Sequence, residues 1–431
     1  MQTTSNGARL TLEGTDISLP VIKDNIGFTC IDITRLRSET GLVTYDPGLG
    51  NTATCQSHIC TANGEKGTLS YRGYDIADLV ENCDFIEVAY LLVKGELPTP
   101  LQRKNYMELL NRNSLLHIDM TSFFRDYPQH AHPMSILAAM VASLSSFYPE
   151  MEDKDPEENI DLTVTNLMSK MRTIAAFTYR QQNGLEFVNP SYKYSYCENL
   201  LNMLFSTPVV EYTPNPVHVK ALNQLLILHA DHEQNCSTTA VRLVASSEAN
   251  LYASVTAGIC ALWGSKHGGA NQAVMQMLQS IKDSGLTAEQ VIEKSKDKSS
   301  NFRLYGFGHR VYKTYDPRAR IAKRMCSEVL ATQKGSDELL DIATRLEELA
   351  LKDDYFISRH LYPNVDFYTG IILHAMGFPE NMFTVMFAVG RLPGWIAHYL
   401  EWNHDPSSKI ARPRQLYDGP GVRKVIPIAE R

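Results

Sequence analysis

Four short segments of this 431-residue chain gather side chains able to move protons or polarise carbonyl groups. They are His229-Ala-Asp-His232-Glu, His267-Gly-Gly, Gly306-Phe-Gly-His309-Arg-Val-Tyr-Lys313 and Asn364-Val-Asp366. Each ends or interrupts an apolar stretch, the expected setting for a polar group facing a cleft between packed helices. His267 is followed by two glycines that permit close backbone approach by a ligand, and the sequence after them can begin a helix. A helix start favours a neutral imidazole and the growth of negative charge on a carbonyl bonded to it. Gly306 and Gly308 frame the approach to His309 in the same way, although a bare Gly-x-Gly is weak evidence for a nucleotide site. Asp366 lies in Val365-Asp-Phe-Tyr, where burial raises both the pKa and the basicity of a carboxylate; it is a candidate for taking a proton from carbon, the alternative being a helix cap.

Arg318, Arg391, Arg412 and Arg414 are candidates for bidentate recognition of carboxylates. His229 and His232 are three apart, which puts them near one face of a helix. The HExxH spacing of a zinc hydrolase is absent, so a substrate-facing His232 beside a structural His229 is preferred to a metal pair. Cys55, His58, Cys60 and Cys83 do not have zinc-ribbon spacing and read as small buried hydrophobes. Taken together, neutral histidines to polarise carbonyls, one desolvated carboxylate and several arginines for a polyanion form a kit for carbon–carbon bond formation through an enolate, with no metal or redox cofactor required.

The elements that must position these groups are mostly helical. From the start to about residue 69 the chain is rich in Thr and Gly, with candidate strands at Leu10-Thr11-Leu12 and Gly41-Leu42-Val43-Thr44-Tyr45 and a turn at Asp46-Pro47-Gly48. From Tyr74 onward apolar residues recur three and four apart, as at Ile76, Leu79, Val80, Val88, Leu91 and Leu92. Residues 150–161 are acidic and read as a solvated loop, 282–300 as a polar separator, 320–353 as a long amphipathic stretch and 383–402 as apolar helix. The expected division is a β-rich amino-terminal region (1–69), a large helical domain (70–279) interrupted by a small helical domain (280–385), and a return segment (386–431).

Composition bounds the function. With 44% hydrophobic and 21% charged residues the chain can build a core. A net charge of -7 argues against a general nucleic-acid or anionic-membrane binder, and any anionic ligand must be met by a few concentrated cations. The weakly polar run 135–144 is about half of the ~20 residues a membrane span needs. The amino terminus lacks a secretory pattern and the eight cysteines are irregularly spaced, so cytoplasmic residence with reduced thiols is expected.

In its longest ordered segments, His229 to Asn235, Leu262 to Asn271, Gly306 to Ala319 and Tyr362 to Gly370, the chain closely resembles the citrate synthases, specifically the bacterial hexameric (type II) form. The likeness runs from Tyr45 to Tyr417. It implies a mainly α, two-domain fold with a small β-rich amino-terminal region, whose domains close over oxaloacetate before acetyl-CoA reacts. The implied reaction condenses acetyl-CoA with oxaloacetate and water to citrate and CoA through an enol(ate) and citryl-CoA, the first step of the tricarboxylic acid cycle. Asp366 would abstract the methyl proton, His267 stabilise the enol(ate) and His309 polarise the ketone. His232, Arg318, Arg391 and, from a neighbouring subunit, Arg412 would hold the oxaloacetate carboxylates. Lys313 and the backbone at Gly306 and Gly308 would meet CoA. The resemblance further implies a homodimer at minimum and a homohexamer in full. Its nearest rival, 2-methylcitrate synthase, uses propionyl-CoA with the same constellation; a metal-dependent hydrolase and a non-catalytic helical assembly protein are more distant alternatives. Type II members are often inhibited by NADH, and here the pattern breaks: Val209, Asn166 and Asn113 replace a cysteine, a basic residue and a histidine, whereas Tyr148, Arg112 and Lys170 remain. Weak or absent NADH inhibition is expected.

Overall fold

The computed structural model describes residues 2–3, 7–12, 15–149, 154–210, 212–297, 299–300, 302–333 and 337–431. The chain divides into two compact units, Met1–Ser57 with Ala411–Arg431, and His58–Ile410. In the smaller unit Ala8–Leu12 pairs antiparallel with Thr15–Leu19, Ala8 facing Leu19. A second sheet joins Gln2–Thr3, Val21–Lys23 and Thr29–Ile31. Ile17, Leu19 and Leu36 form its small core, with Leu10 packed against them. Alternation along the first hairpin sends Leu10, Ile17 and Leu19 to one face, where Leu36 of the following helix packs on them.

The strand expected at 41–45 does not form. Gly41, at φ 78°, ends the short helix Leu36–Thr40 in the left-handed conformation and its N–H bonds Arg37 O. Leu42, Val43 and Tyr45 are then left exposed, and pair with no strand among the described residues. The turn at 47–48 is present.

Among the described residues the larger unit is helical apart from one three-stranded antiparallel sheet, Cys60–Asn63, Thr68–Tyr71 and Tyr74–Asp75, and two isolated bridges. Ile76, Leu79 and Val80 face inward on the helix Ile76–Asn82, and Val88, Leu91 and Leu92 on Phe85–Lys94, as the periodicity requires. Pro156–Gln182 is buried on all sides over much of its length and runs through the core. It begins inside the stretch read as a solvated loop, because Asp155 accepts from Glu157 N–H and Pro156 takes the first helical position, where its missing N–H costs nothing; residues 150–153 lie outside the described residues. Likewise the polar separator holds a helix, Ala288–Lys296, opened by a Thr287/Gln290 capping box. The amphipathic stretch is two helices, Pro317–Leu330 and Glu338–Ala350. Phe383–His404 carries Pro393 within it and fully buries Trp395. No helix among the described residues is long and apolar enough to cross a membrane.

Candidate active site

The helix Pro216–His229, capped by Asn215, stops at His229, and Ala230 is its C-cap. The expectation that His229 and His232 share a helix face is therefore corrected. His232 lies in the non-helical connection to Cys236–Ala245, where Glu233 adopts φ 51°. That connection is tied down from afar: Tyr71 Oη donates to the carbonyls of Ile227 and Asp231, each at 3.1 Å. His229 points into the core, its Nδ1 donating to Leu225 O at 2.8 Å and its ring edge-on to Phe387, and burial pushes its pKa down to about 3. The structural reading of His229 agrees with this position.

His232 faces a different set. Its Nε2 is 3.1 Å from Tyr312 Oη, and its ring centre is 5.4 Å from that of His309. His309 Nδ1 accepts from the N–H groups of Val311 (3.0 Å) and Tyr312 (3.3 Å), which leaves the ring proton on Nε2. Arg318 Nη2 is 3.4 Å from that Nε2. Neither nitrogen can accept from the other, so together they present two converging donors suited to one carbonyl or carboxylate oxygen. Burial, reinforced by the Arg318 cation, holds His309 down to about 4 and His232 well below the usual histidine range. Both are neutral at physiological pH.

Arg318 is in turn clamped by Asp316, whose Oδ2 is 3.0 Å from Nη2 and whose Oδ1 is 3.1 Å from Nε. Both side chains are almost wholly out of water. Asp316 also caps Pro317–Leu330 through Arg318 N–H. Burial alone would raise the Asp316 carboxyl, but the guanidinium outweighs it and the carboxyl is lowered. Arg391, buried in Phe383–His404, donates from Nε to His229 O at 2.5 Å and stacks over Phe387, while its Nη1 has no hydrogen-bond partner among the described residues.

Asp366 is the second residue of Val365–Ala375, whose cap is Asn364. Part of its surface stays open, yet its surroundings are apolar enough that burial pushes its carboxyl up to about 6, against the opposing pull of Arg318 and Arg391. It thus lies within the field of the same two arginines. His267 precedes Ala270–Ser284, as expected, with Nε2 2.9 Å from Ser237 Oγ and 3.2 Å from Ser237 N. Its ring packs on Phe387 beside Arg391, and burial lowers it to about 4.

Of the remaining sequence candidates, Gly306 and Gly308 (φ 82° and 81°) form a tight loop joined to residues 362–364. A Cβ on Gly306 would lie 2.9 Å from Phe367 and Val274. Lys313 is exposed and paired with Glu65. Arg412 and Arg414 belong to the other compact unit and are exposed there. Among the described residues no group of three or more His, Cys, Asp or Glu side chains is arranged to hold a metal ion. Reasoning from sequence missed Tyr312, Asp316 and Ser237. Asp316-Pro317 is a legible helix start, but neither tyrosine nor serine carries a local sign of the imidazole it meets.

A carboxylate held near neutrality, neutral imidazoles and buried guanidinium donors on a helical scaffold define a class of enzyme that makes an enolate beside one carbonyl and adds it to another. A family model described as citrate synthase, C-terminal domain, matches residues 48–414. Citrate synthase 1 of Mycobacterium tuberculosis is 47% identical over 431 residues, the whole of both chains. Citrate synthase of Corynebacterium glutamicum is 48% identical over 430 residues, covering 100% of this chain and 98% of that one. The crystal structure of citrate synthase from Pyrobaculum aerophilum has a TM-score of 0.80 at 33% identity, covering 100% of this chain and 99% of the other. That of the Thermoplasma acidophilum enzyme, a ternary complex with carboxymethyl coenzyme A and oxaloacetate, has a TM-score of 0.80 at 32% identity, covering 89% of this chain and 98% of the other. The chain belongs to the citrate synthase family. It is an acyltransferase that condenses acetyl-CoA with oxaloacetate to give citrate and CoA.

Proposed function

We propose that Asp366 is the base that removes a methyl proton from acetyl-CoA, that His267 hydrogen-bonds the thioester oxygen as the enol(ate) forms, and that His309 polarises the oxaloacetate ketone. The observation that carries this reading is the elevated carboxyl of Asp366 within the field of Arg318, whose guanidinium also lies 3.4 Å from the neutral His309. A base near 6 is ionised at physiological pH yet basic enough to share a carbon-bound proton in the transition state. His232, Arg318 and Arg391 bind the oxaloacetate carboxylates, Arg391 through its unpartnered Nη1. Water then hydrolyses citryl-CoA. Lys313 and the backbone at Gly306 and Gly308 are assigned to CoA, Lys313 by its exposure.

Arg412 is assigned to the oxaloacetate site of a second subunit, which makes the working unit a homodimer at least, and a homohexamer if the type II reading holds. The support is the exposed, irregular segment 409–427 that carries it, with Ile410, Leu416, Tyr417, Val422 and Val425 turned to solvent in the single chain. The division into 1–69, 70–279, 280–385 and 386–431 is proposed with it, the small domain closing over oxaloacetate before acetyl-CoA reacts. Packing of Pro317–Leu330 on Val365–Ala375 and of Ala288–Lys296 on Glu338–Ala350 supports a cohesive small domain. Cytoplasmic residence completes the proposal, in keeping with eight cysteines in no disulfide.

NADH inhibition is proposed to be weak or absent. Lys170 Nζ is already engaged by Asn113 O and by the Tyr148 ring, 4.3 Å from its centre, and Val209 offers no polar group. A titration with NADH at low acetyl-CoA tests this, and strong sigmoidal inhibition overturns it. For the reaction itself, thiol release is measured with acetyl-CoA or propionyl-CoA, each with and without oxaloacetate, for the native chain and Asp366→Ala. Release that needs no oxaloacetate overturns the mechanism, and a marked propionyl preference reassigns the substrate.

A further inference from the structure

His309 and Asp366 are 57 positions apart in sequence, yet the segments bearing them are bonded to each other directly. Asn364 is the hub. Its Oδ1 accepts from Asp366 N–H at 3.0 Å and Phe367 N–H at 3.3 Å, starting the Asp366 helix. Its Nδ2 donates to the carbonyl of Gly308, the residue before His309, at 2.9 Å. Its backbone N–H donates to Gly306 O at 2.9 Å, and Gly308 N–H returns a 2.7 Å bond to Tyr362 O. Phe307 and Pro363 form an antiparallel bridge between these bonds. Farther along, Tyr315 Oη is 3.3 Å from Tyr368 Oη.

We infer that Asn364 is a positioning residue that sets the spacing between the base Asp366 and the ketone-polarising His309, and that Gly306-Phe-Gly308 is the backbone half of this brace. The inference rests on the roles proposed above for those two residues. Its physical basis is that two reacting carbons must meet between a base and an acid whose separation is held to a fraction of an ångström. The side-chain amide meets both requirements at once because it has an acceptor and a donor on one planar group. A serine or aspartate there still caps a helix, but serine is too short to reach Gly308 O and aspartate has no proton to donate.

Steady-state kinetics of the full-length native enzyme, Asn364→Ser, Asn364→Asp and Asp366→Ala separate the possibilities. The brace predicts that both Asn364 variants lose roughly 10- to 100-fold in kcat, since small misplacement of reacting groups has effects of that size. Their KM for oxaloacetate stays within about threefold of native, because Arg318 and Arg391 remain. Asn364→Ser also keeps the native acid limb of the pH profile. A role as helix cap alone predicts native kcat in both capping variants, and that result overturns the inference. So does a loss confined to KM. If Asn364→Ser does not fold, Asn364→Asp decides by the same kcat criterion, because it preserves both size and cap. An active Asp366→Ala instead refutes the assignment of the base, independently of what the Asn364 variants do.

Discussion

Asp316 and Asp366 both stand at helix beginnings, Asp316 as the cap of Pro317–Leu330 and Asp366 as the second residue of Val365–Ala375, and both are largely withdrawn from water. Their carboxyls nevertheless move in opposite directions. Asp316 meets the Arg318 guanidinium at 3.0 Å and is lowered, whereas Asp366 feels the same cation only at a distance and is pushed up to about 6. Desolvation raises either one, and a hydrogen-bonded countercharge decides whether that rise survives. The pair thus divides labour: one carboxylate is spent on aiming a guanidinium, and the other is kept basic.

Removing the basic member is the largest test. Asp366→Ala is expected to lower kcat by about 10³-fold, within the range for loss of a general base, and thiol release under saturating substrates measures it. Breaking the paired member comes next. Asp316→Asn keeps a capping side chain but strands Arg318 as a buried, uncompensated cation, at a cost of about 3–5 kcal/mol in unfolding free energy read from urea melts. Because the Asp316 charge helps to raise Asp366, the same variant moves the acid limb of kcat/KM to lower pH.

The pH profile sharpens the comparison without substitution at Asp316. The native kcat/KM for acetyl-CoA is expected to fall below about pH 6 as Asp366 protonates, and His267 and His309, held near 4, stay neutral through that range. Stability follows the same group. A folded carboxyl raised above its unfolded value of 3.8 costs nothing when both states are protonated, below about pH 4, and costs progressively more as pH rises to 6. Asp366→Asn is therefore expected to be more stable than native at pH 7.5, by at most about 3 kcal/mol, with the gap closing toward pH 4 in thermal melts. A gap that does not change with pH would contradict the raised carboxyl. The smallest effect is expected from Tyr312→Phe, which removes the hydroxyl 3.1 Å from His232 Nε2. Loss of one such bond, worth about 1 kcal/mol, raises the KM for oxaloacetate about fivefold and leaves the acid limb in place.

Along the chain, the reactive types and most helices were legible. Asp366, His267 and His309 declare themselves by their apolar or glycine-rich settings, and Ile76, Leu79 and Val80 by their spacing. Reading failed where a neighbour distant in sequence made the choice. Gly41 to Tyr45 has strand composition but pairs with no strand among the described residues, whereas in the acidic run before Asp161 a local signal, Asp155 and Pro156, was overlooked and starts a helix. His232 leaves its helix in a connection whose Asp231 carbonyl is held by Tyr71, 160 residues away.

By itself the sequence determined which groups are present and where helices begin: Asp316 and Asn364 cap because their side chains reach N–H groups two or three residues ahead, a purely local bond. Only the tertiary structure decided which aspartate stays basic, which histidines stay neutral and how His309 is spaced from Asp366. Ionisation depends on charges and solvent nearby, and folding brings Arg318 and Arg391 to Asp366, and Arg318 to His232, across intervals that no local pattern encodes.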